Sequence, residues 1–312
     1  MHNVAELLLY VAISVLIASI IEAVVLSRRA PGGYDWASMG VSVADMVVRN
    51  VLRFVLPATF ILTMADWVWA HRIATVPLDG VAAFAALFIG QEFCYYWYHR
   101  AGHRMRWFWL SHSIHHSSNS MNLSAAYRLS WTAGYTGAVA FFMPLVWLGF
   151  PVKVVLSCLA LNLFYQFWLH TSWIPKLGWF EKIFNTPSAH RVHHASNLEY
   201  LDGNYGGVLV VFDHLFGTYI PERKEVAIQY GWVEPIHTRN VFKLQATPWI
   251  DLFKDLRKAQ SLREVVGLFW MPPGWRADGL GNTTEQLRHG AVLPAGTAGA
   301  LATGSAPEAL RP

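Results

Sequence analysis

An all-α fold is predicted for this chain: a multi-pass transmembrane helical bundle with a histidine-rich helical cap on its cytosolic side. Composition, the lengths of the apolar runs and the helical spacing of clustered histidines lead to it. Of 312 residues, 54% are apolar and only 14% charged, and the mean hydropathy is positive, a balance that belongs to membrane proteins.

Five apolar runs follow in order. Residues 4–26 are apolar except for Glu6, Ser14, Ser19 and Glu22, and they exceed the roughly 20 residues a bilayer span needs. Residues 47–70 form a second run, interrupted by Arg49, Asn50, Arg53 and Asp66 towards its ends, where basic side chains reach the interface. The third starts at Val81, passes Glu92 and leads through Tyr98 into His99. The fourth, 131–150, and the fifth, 152–170, meet at Gly149-Phe150-Pro151 and read as a membrane hairpin.

No basic residue precedes the first run, whereas Arg28 and Arg29 follow it, so it reads as a span with its N-terminus outside and not as a cleavable leader. Counting onward, the inside segments carry Arg28, Arg29, Arg49, Arg100, Arg104, Arg106, Arg128, Lys176, Lys182 and Arg191, and the outside turns only Arg72 and Lys153. This bias accounts for an isoelectric point near 9.1 without a nucleic-acid partner. Residues 1–80 are thus N-terminal spans and loops, 81–220 the histidine-bearing domain, 221–280 a C-terminal membrane-surface region and 281–312 a disordered tail rich in Gly, Ala, Thr and Pro. Within the third region, 249–270 is expected to be one amphipathic helix on the membrane surface, its Lys254, Arg257, Lys258 and Arg263 towards anionic head groups. Cys94 and Cys158 both fall in apolar runs and serve as small fillers, not as a disulfide.

Eight histidines form three clusters: His99 with His103, His112 with His115 and His116, and His190 with His193 and His194. Spacings of three and four residues place imidazoles one helical turn apart. Neutral imidazole is a good ligand for iron, copper, nickel or zinc, and eight exceed what one four- to six-coordinate ion takes, so two metal ions are expected. Two spans lie between the second and third clusters, which puts all three on the cytoplasmic face. His170, at the inner end of the fifth span, joins them as a candidate ninth ligand.

A zinc hydrolase needs a glutamate beside its first histidine, yet His99 precedes Arg100, His112 precedes Ser113 and His190 precedes Arg191. A transporter needs polar ligands near the bilayer midplane in broken helices, and these clusters sit at the boundary. The remaining chemistry is redox: two imidazole-bound irons activating O2 against an unactivated C–H bond of a lipid that enters from the bilayer.

The segment Tyr95-Tyr96-Trp97-Tyr98-His99-Arg100 followed by His103, the His112-x2-His115-His116 run with Asn122-Leu123-Ser124 after it, and Asn185-Thr186-Pro187-Ser188-x-His190-Arg191-Val192-His193-His194 closely resemble the fatty acid hydroxylase/sterol desaturase superfamily of integral membrane di-iron proteins. Asn204-Tyr205-Gly206-Gly207 and Leu215-Phe216-Gly217-Thr218 look like the branch that includes alkylglycerol monooxygenases and many bacterial members. The resemblance covers about residues 80 to 220. It implies non-haem di-iron, O2 as co-substrate, an external electron supply and, as ligands, His99, His103, His112, His115, His116, His190, His193 and His194, with His170 in the place of a further span-end histidine. Some relatives carry another partner four residues later, where this chain has Ile174.

The expected function is therefore O2-dependent hydroxylation of a membrane lipid: a sterol, an acyl chain, an ether lipid or a lipid head group. A desaturase using the same site and a non-catalytic membrane metal-binding or transport protein stay open. No haem-binding, flavin or ferredoxin signature is present, so electrons come from a separate donor protein or a soluble reductant such as a pterin. The expected location is an integral membrane protein with its metals on the cytoplasmic face of a bacterial inner membrane, or of the endoplasmic reticulum in a eukaryote. Glu92, two turns before His99, is a candidate acceptor for an imidazole N–H, and Asn119, Asn197 and Asp202 flank the clusters as weaker candidates.

Overall fold

The computed structural model describes residues 4–29, 32–55, 59–288 and 290. Among them there is no β-strand. Helices α1 (Val4–Arg29), α2 (Trp36–Val55), α3 (Thr59–Ala70) and α4 (Val81–Arg104) are followed by α5 (Arg106–His115), α6 (Met143–Leu148), α7 (Val152–Phe167), α8 (Pro187–His193), α9 (Val211–Phe216), α10 (Val241–Leu256), α11 (Leu262–Trp270) and α12 (Thr284–Arg288), with short 3-10 turns between.

Burial along the N-terminal and central helices is inverted relative to a water-soluble protein. On α2, Ser38, Ser42, Asp45 and Arg49 recur at helical spacing and are buried, whereas Val47, Val51 and Val55 face outward. Helix α1 buries Ser19 and Glu22 and presents Leu9, Ile13, Ile17 and Ile20; α7 buries Asn162 and Gln166 and presents Leu161, Leu163 and Phe164. Buried groups find partners inside. Glu22 accepts from the Leu123 N–H at 2.7 Å and from the Thr171 hydroxyl, and the Arg128 guanidinium donates to Ser42 Oγ at 3.0 Å, Ser38 Oγ at 2.7 Å and the Ser117 carbonyl at 3.1 Å. Arg128 is thus an internal tie between α2 and the loop after α5, and not a loop charge at the membrane face. An apolar cluster of Ala65, Leu87, Tyr95, Leu145, Val146 and Val155 joins α3, α4, α6 and α7.

One helix among the described residues, Leu9–Arg29, is long and apolar enough by composition to cross a membrane. The 24-residue α4 reaches about 36 Å at 1.5 Å per residue but carries Gln91, Glu92 and His99. In the expected run 47–70, α2 ends at Val55 and α3 begins at Thr59, and residues 56–58 between them lie outside the described residues. Residues 131–150 are not a continuous helix. They break into 3-10 turns, Ala133–Tyr135 and Ala138–Phe142, and the short α6, with Gly137 at φ 78° and Pro144 entering α6. The single amphipathic helix expected over 249–270 is two, α10 and α11, because Ser261 accepts from the Glu264 N–H at 3.2 Å and starts a new helix. Part of the expected tail is structured as α12; residues 291–312 lie outside the described residues. Both cysteines are free thiols.

Candidate metal centre

Helix α4 supplies His99 and His103, and α5, which turns back from it at Met105, supplies His112 and His115. The two helices approach closely because Gly102 has no side chain: a Cβ there would lie 3.2 Å from the His112 ring. Helix α8 begins at the Asn185-Thr186-Pro187 segment. Thr186 caps it by accepting from the Ala189 N–H, Pro187 occupies the first turn where no N–H is needed, and the Asn185 amide donates to the Gly206 carbonyl at 2.7 Å. These contacts place His190, His193 and His194 opposite α4 and α5.

The structure brings all nine expected histidines together, in two groups. His99, His103, His112, His116 and His193 form one; His115, His170, His190 and His194 form the other; within each, the ring nitrogens lie within 4.8 Å of one another. No Asp, Glu or Cys joins either group among the described residues. Each His-x-x-His-His run is split between them. His112 and His116 go to the first group and His115 to the second, whereas His190 and His194 go to the second and His193 to the first. Consecutive helical residues point about 100° apart, so neighbouring imidazoles serve different centres.

Ring orientation is set by backbone carbonyls. Nδ1 of His99 lies 2.9 Å from the Tyr205 carbonyl, Nδ1 of His170 is 2.9 Å from that of Gln166, Nδ1 of His193 is 3.0 Å from that of Gly203, and Nδ1 of His115 is 3.3 Å from that of Arg128. A carbonyl only accepts, so each Nδ1 carries the proton and each neutral ring turns a bare Nε2 lone pair inward. The His115 and His170 Nε2 atoms then face each other at 3.1 Å with no proton between them. Further Nε2 pairs stand at 3.0–3.1 Å: His99 and His116 each with His112, and His190 with His170 and His194. Two nitrogens at about 2.1 Å from one ion and at right angles to each other lie about 3.0 Å apart. The donor set fits a cation in each group.

Burial, and after it the crowding of neighbouring rings, holds the imidazoles of His103, His112, His116, His190, His193 and His194 well below the ordinary imidazole value, and burial takes His115 down to about 4. All are neutral at pH 7 and free to ligate.

The remaining sequence candidates divide. Asp202 faces His103, its Oδ1 3.7 Å from Nδ1. Glu92 orients no ring: its carboxylate accepts from the Val208 and Leu209 N–H groups at 2.8 Å each and from the Asn162 amide. Asn119 and Asn197 bond to loop backbone at Ile236 and Ala227, away from the imidazoles, and Ile174 contributes its carbonyl to Arg191 at 2.8 Å. What sequence reasoning missed are the orienting carbonyls, which carry no side-chain signal, and a polar chain on α7: Tyr95 Oη donates to Gln166 at 3.0 Å and Gln166 to Asn162 at 2.6 Å, which leads on to Glu92. Asn162, Gln166 and His170 recur every four residues, a periodicity visible in the sequence. The Tyr205 carbonyl is placed in turn by Asp213, which accepts from the Tyr205 and Gly206 N–H groups and from Thr218 Oγ1, all at 2.7 Å, and whose carboxyl burial pushes up to about 6.

The class of protein is set by a helical domain with two adjoining all-imidazole groups, each able to hold a metal ion, and residues 84–218 match the fatty acid hydroxylase family model. Over those residues the chain is similar to fatty acid hydroxylase domains. It is 35% identical over 268 residues to human alkylglycerol monooxygenase, covering 84% of this chain and 58% of that protein. The alkylglycerol monooxygenase of Danio rerio is 35% identical over 210 residues, 67% of this chain and 46% of the relative. An ornithine lipid hydroxylase of Rhizobium tropici is 32% identical over 128 residues, 41% of this chain and 39% of that protein. The chain spans about half the length of the alkylglycerol monooxygenases it matches. No solved structure matches it.

Proposed function

We propose that this protein is an integral membrane, di-iron, O2-dependent lipid hydroxylase whose metal ligands are His99, His103, His112, His116 and His193 for one iron and His115, His170, His190 and His194 for the other. The observation that carries the reading is the His115–His170 contact, where two deprotonated ring nitrogens meet at 3.1 Å. In a buried site such opposed lone pairs repel unless a cation lies between them. Sites of five and four nitrogen donors without carboxylate suit iron that keeps a position for O2, more than a closed four-ligand zinc site.

Iron held there would supply activation of O2, in the balance R–H + O2 + 2 electrons + 2 protons giving R–OH and water. The chain's own residues do the rest. Carbonyls of Tyr205, Gln166, Gly203 and Arg128 fix the ring tautomers, and burial keeps bulk water from the rings. The inverted helices support the lipid setting, since buried Asp45, Arg49, Glu22 and Gln166 beside outward Val51, Ile17 and Leu161 suit a hydrocarbon surrounding. We place the protein in the membrane as a multi-pass bundle with its metals on the cytoplasmic face, drawing electrons from a separate donor protein or a soluble reductant. The names of the relatives favour an ether-linked or amino-acid-headed lipid as substrate.

The test is anaerobic iron loading of the full chain in lipid vesicles, followed by reductant and 18O2, with mass spectrometry of extracted lipid. Hydroxylation adds one labelled oxygen. Loss of two hydrogens without label assigns the site to a desaturase, and iron binding without any lipid change in a reduced, aerated sample refutes the oxygenase reading.

A further inference from the structure

The C-terminal α12 lies against residues 198–204, and this segment aims two rings of the five-histidine group. The Gly203 carbonyl accepts from His193 Nδ1 at 3.0 Å, and Asp202 Oδ1 stands 3.7 Å from His103 Nδ1. His103 and His193 are also the two rings whose Nε2 atoms are buried without any protein partner. Both rings pack against other imidazoles of the group, but the polar groups that face their Nδ1 atoms come from this segment.

The segment is held under backbone strain. Asp202 and Asn204, either side of Gly203, have φ of 56° and 58°, in the left-handed region that side chains disfavour. Such a conformation persists only when its surroundings fix it. The Asn204 side chain donates to the Ala189 and Ile220 carbonyls at 2.9 and 2.8 Å and accepts from the Ile220 N–H at 2.7 Å. Arg104, one residue beyond His103, bridges Asp202 Oδ2 at 2.6 Å and Glu285 Oε1 of α12 at 2.5 Å. Arg288 of α12 donates to the Leu198 carbonyl at 2.9 Å and to that of Leu201 at 2.5 Å.

We infer that Asp202 is a positioning residue for His103, and that α12 is a clamp which sets metal affinity at the five-histidine centre while leaving the four-histidine centre alone. The carbonyls that orient the second group, Arg128 and Gln166, come from other parts of the chain. The inference rests on the two-metal reading and deepens it. At 3.7 Å the Asp202 carboxylate acts on the His103 ring through its charge and not through a direct hydrogen bond, and losing an outer partner of a ligand costs roughly 10- to 100-fold in metal affinity.

The experiment uses the full chain in detergent, loaded anaerobically with ferrous iron and dialysed against graded ferrous chelator. Iron per chain and the unfolding midpoint of the metal-free protein are measured together. The two wild-type release points set the reference for each centre. Asp202→Asn and Arg288→Ala should give up one iron at about 10- to 100-fold lower chelator and keep the other, with the metal-free midpoint unmoved. Glu285→Gln, at a half-exposed position, should act in the same direction. A shift of both release points, or retention of both irons at wild-type strength in all three variants, overturns the inference. A wild-type protein that binds fewer than two irons instead overturns the two-metal reading beneath it.

Discussion

The rings of His116 and His194 stack with centroids 4.2 Å apart and planes tilted by 20°, although the two residues belong to different metal groups. The two groups also adjoin through His193, whose ring lies 5.3 Å from that of His190 and 5.2 Å from that of His194.

Paired substitutions read that division. His115→Ala with His190→Ala removes two of four ligands from one group and should leave one metal per chain, whereas His115→Ala with His116→Ala takes one ligand from each group and should weaken both metals without emptying the five-histidine group. Each double variant should lose turnover by more than about a hundredfold, beyond what loss of an outer partner costs. Metal analysis of purified protein checks the first statement and a lipid product assay the second. A remaining metal held equally tightly in the two double variants would refute the grouping.

Asp213→Ala should destabilise the fold by about 3 kcal/mol or more, because it strands the buried Tyr205 and Gly206 N–H groups and the Thr218 hydroxyl at once. Gly206→Ala should be comparably harmful, since a Cβ there would lie 2.2 Å from the Leu209 carbonyl oxygen. Thermal unfolding in detergent measures both, and a change under about 1 kcal/mol in either variant would contradict the packing described.

Arg191→Lys keeps the charge and loses the fork. Arg191 bonds both carboxylate oxygens of Glu222, at 3.0 and 2.7 Å, and the Thr171 and Ile174 carbonyls, which ties α8 to the segment following His170. A cost of about 2 kcal/mol is expected, accompanied by weaker metal retention at the four-histidine group. Urea unfolding and metal content are the readouts.

Acid should unfold the metal-free protein early. The buried imidazoles have folded values below the ordinary 6.5, His115 at about 4, so the unfolded chain binds more protons than the folded one as pH falls from about 7. Their contribution is fully present above pH 6.5 and is lost as pH drops towards the folded values. The unfolding midpoint should fall steeply between pH 7 and 5. A flat profile would mean that the rings are solvated or already charged.

Histidine spacing made the site's residues legible, since i, i+3 and i, i+4 patterns need only helix geometry. The grouping was not legible, because whether His193 or His194 meets His99 depends on how α8 crosses α4, which is a tertiary fact. Carbonyls of Tyr205 and Gly203 leave no trace in residue identity. The apolar run at 131–150 misled because its length suggested a span, although Gly134, Gly137 and Pro144 within it were visible helix breakers. Five residues of α12 have little helical tendency of their own and are held by Arg104 and the 198–201 carbonyls, which no local pattern reveals.

The crossed assignment of the two His-x-x-His-His runs also bears on biosynthesis. Each nest draws at least one imidazole from the run at 190–194, so neither reaches full strength while the ribosome has yet to deliver those last ligands. A nascent chain stalled before residue 190 would leave the four-histidine nest with only His115 and His170, so any metal there would wait for α8 to dock.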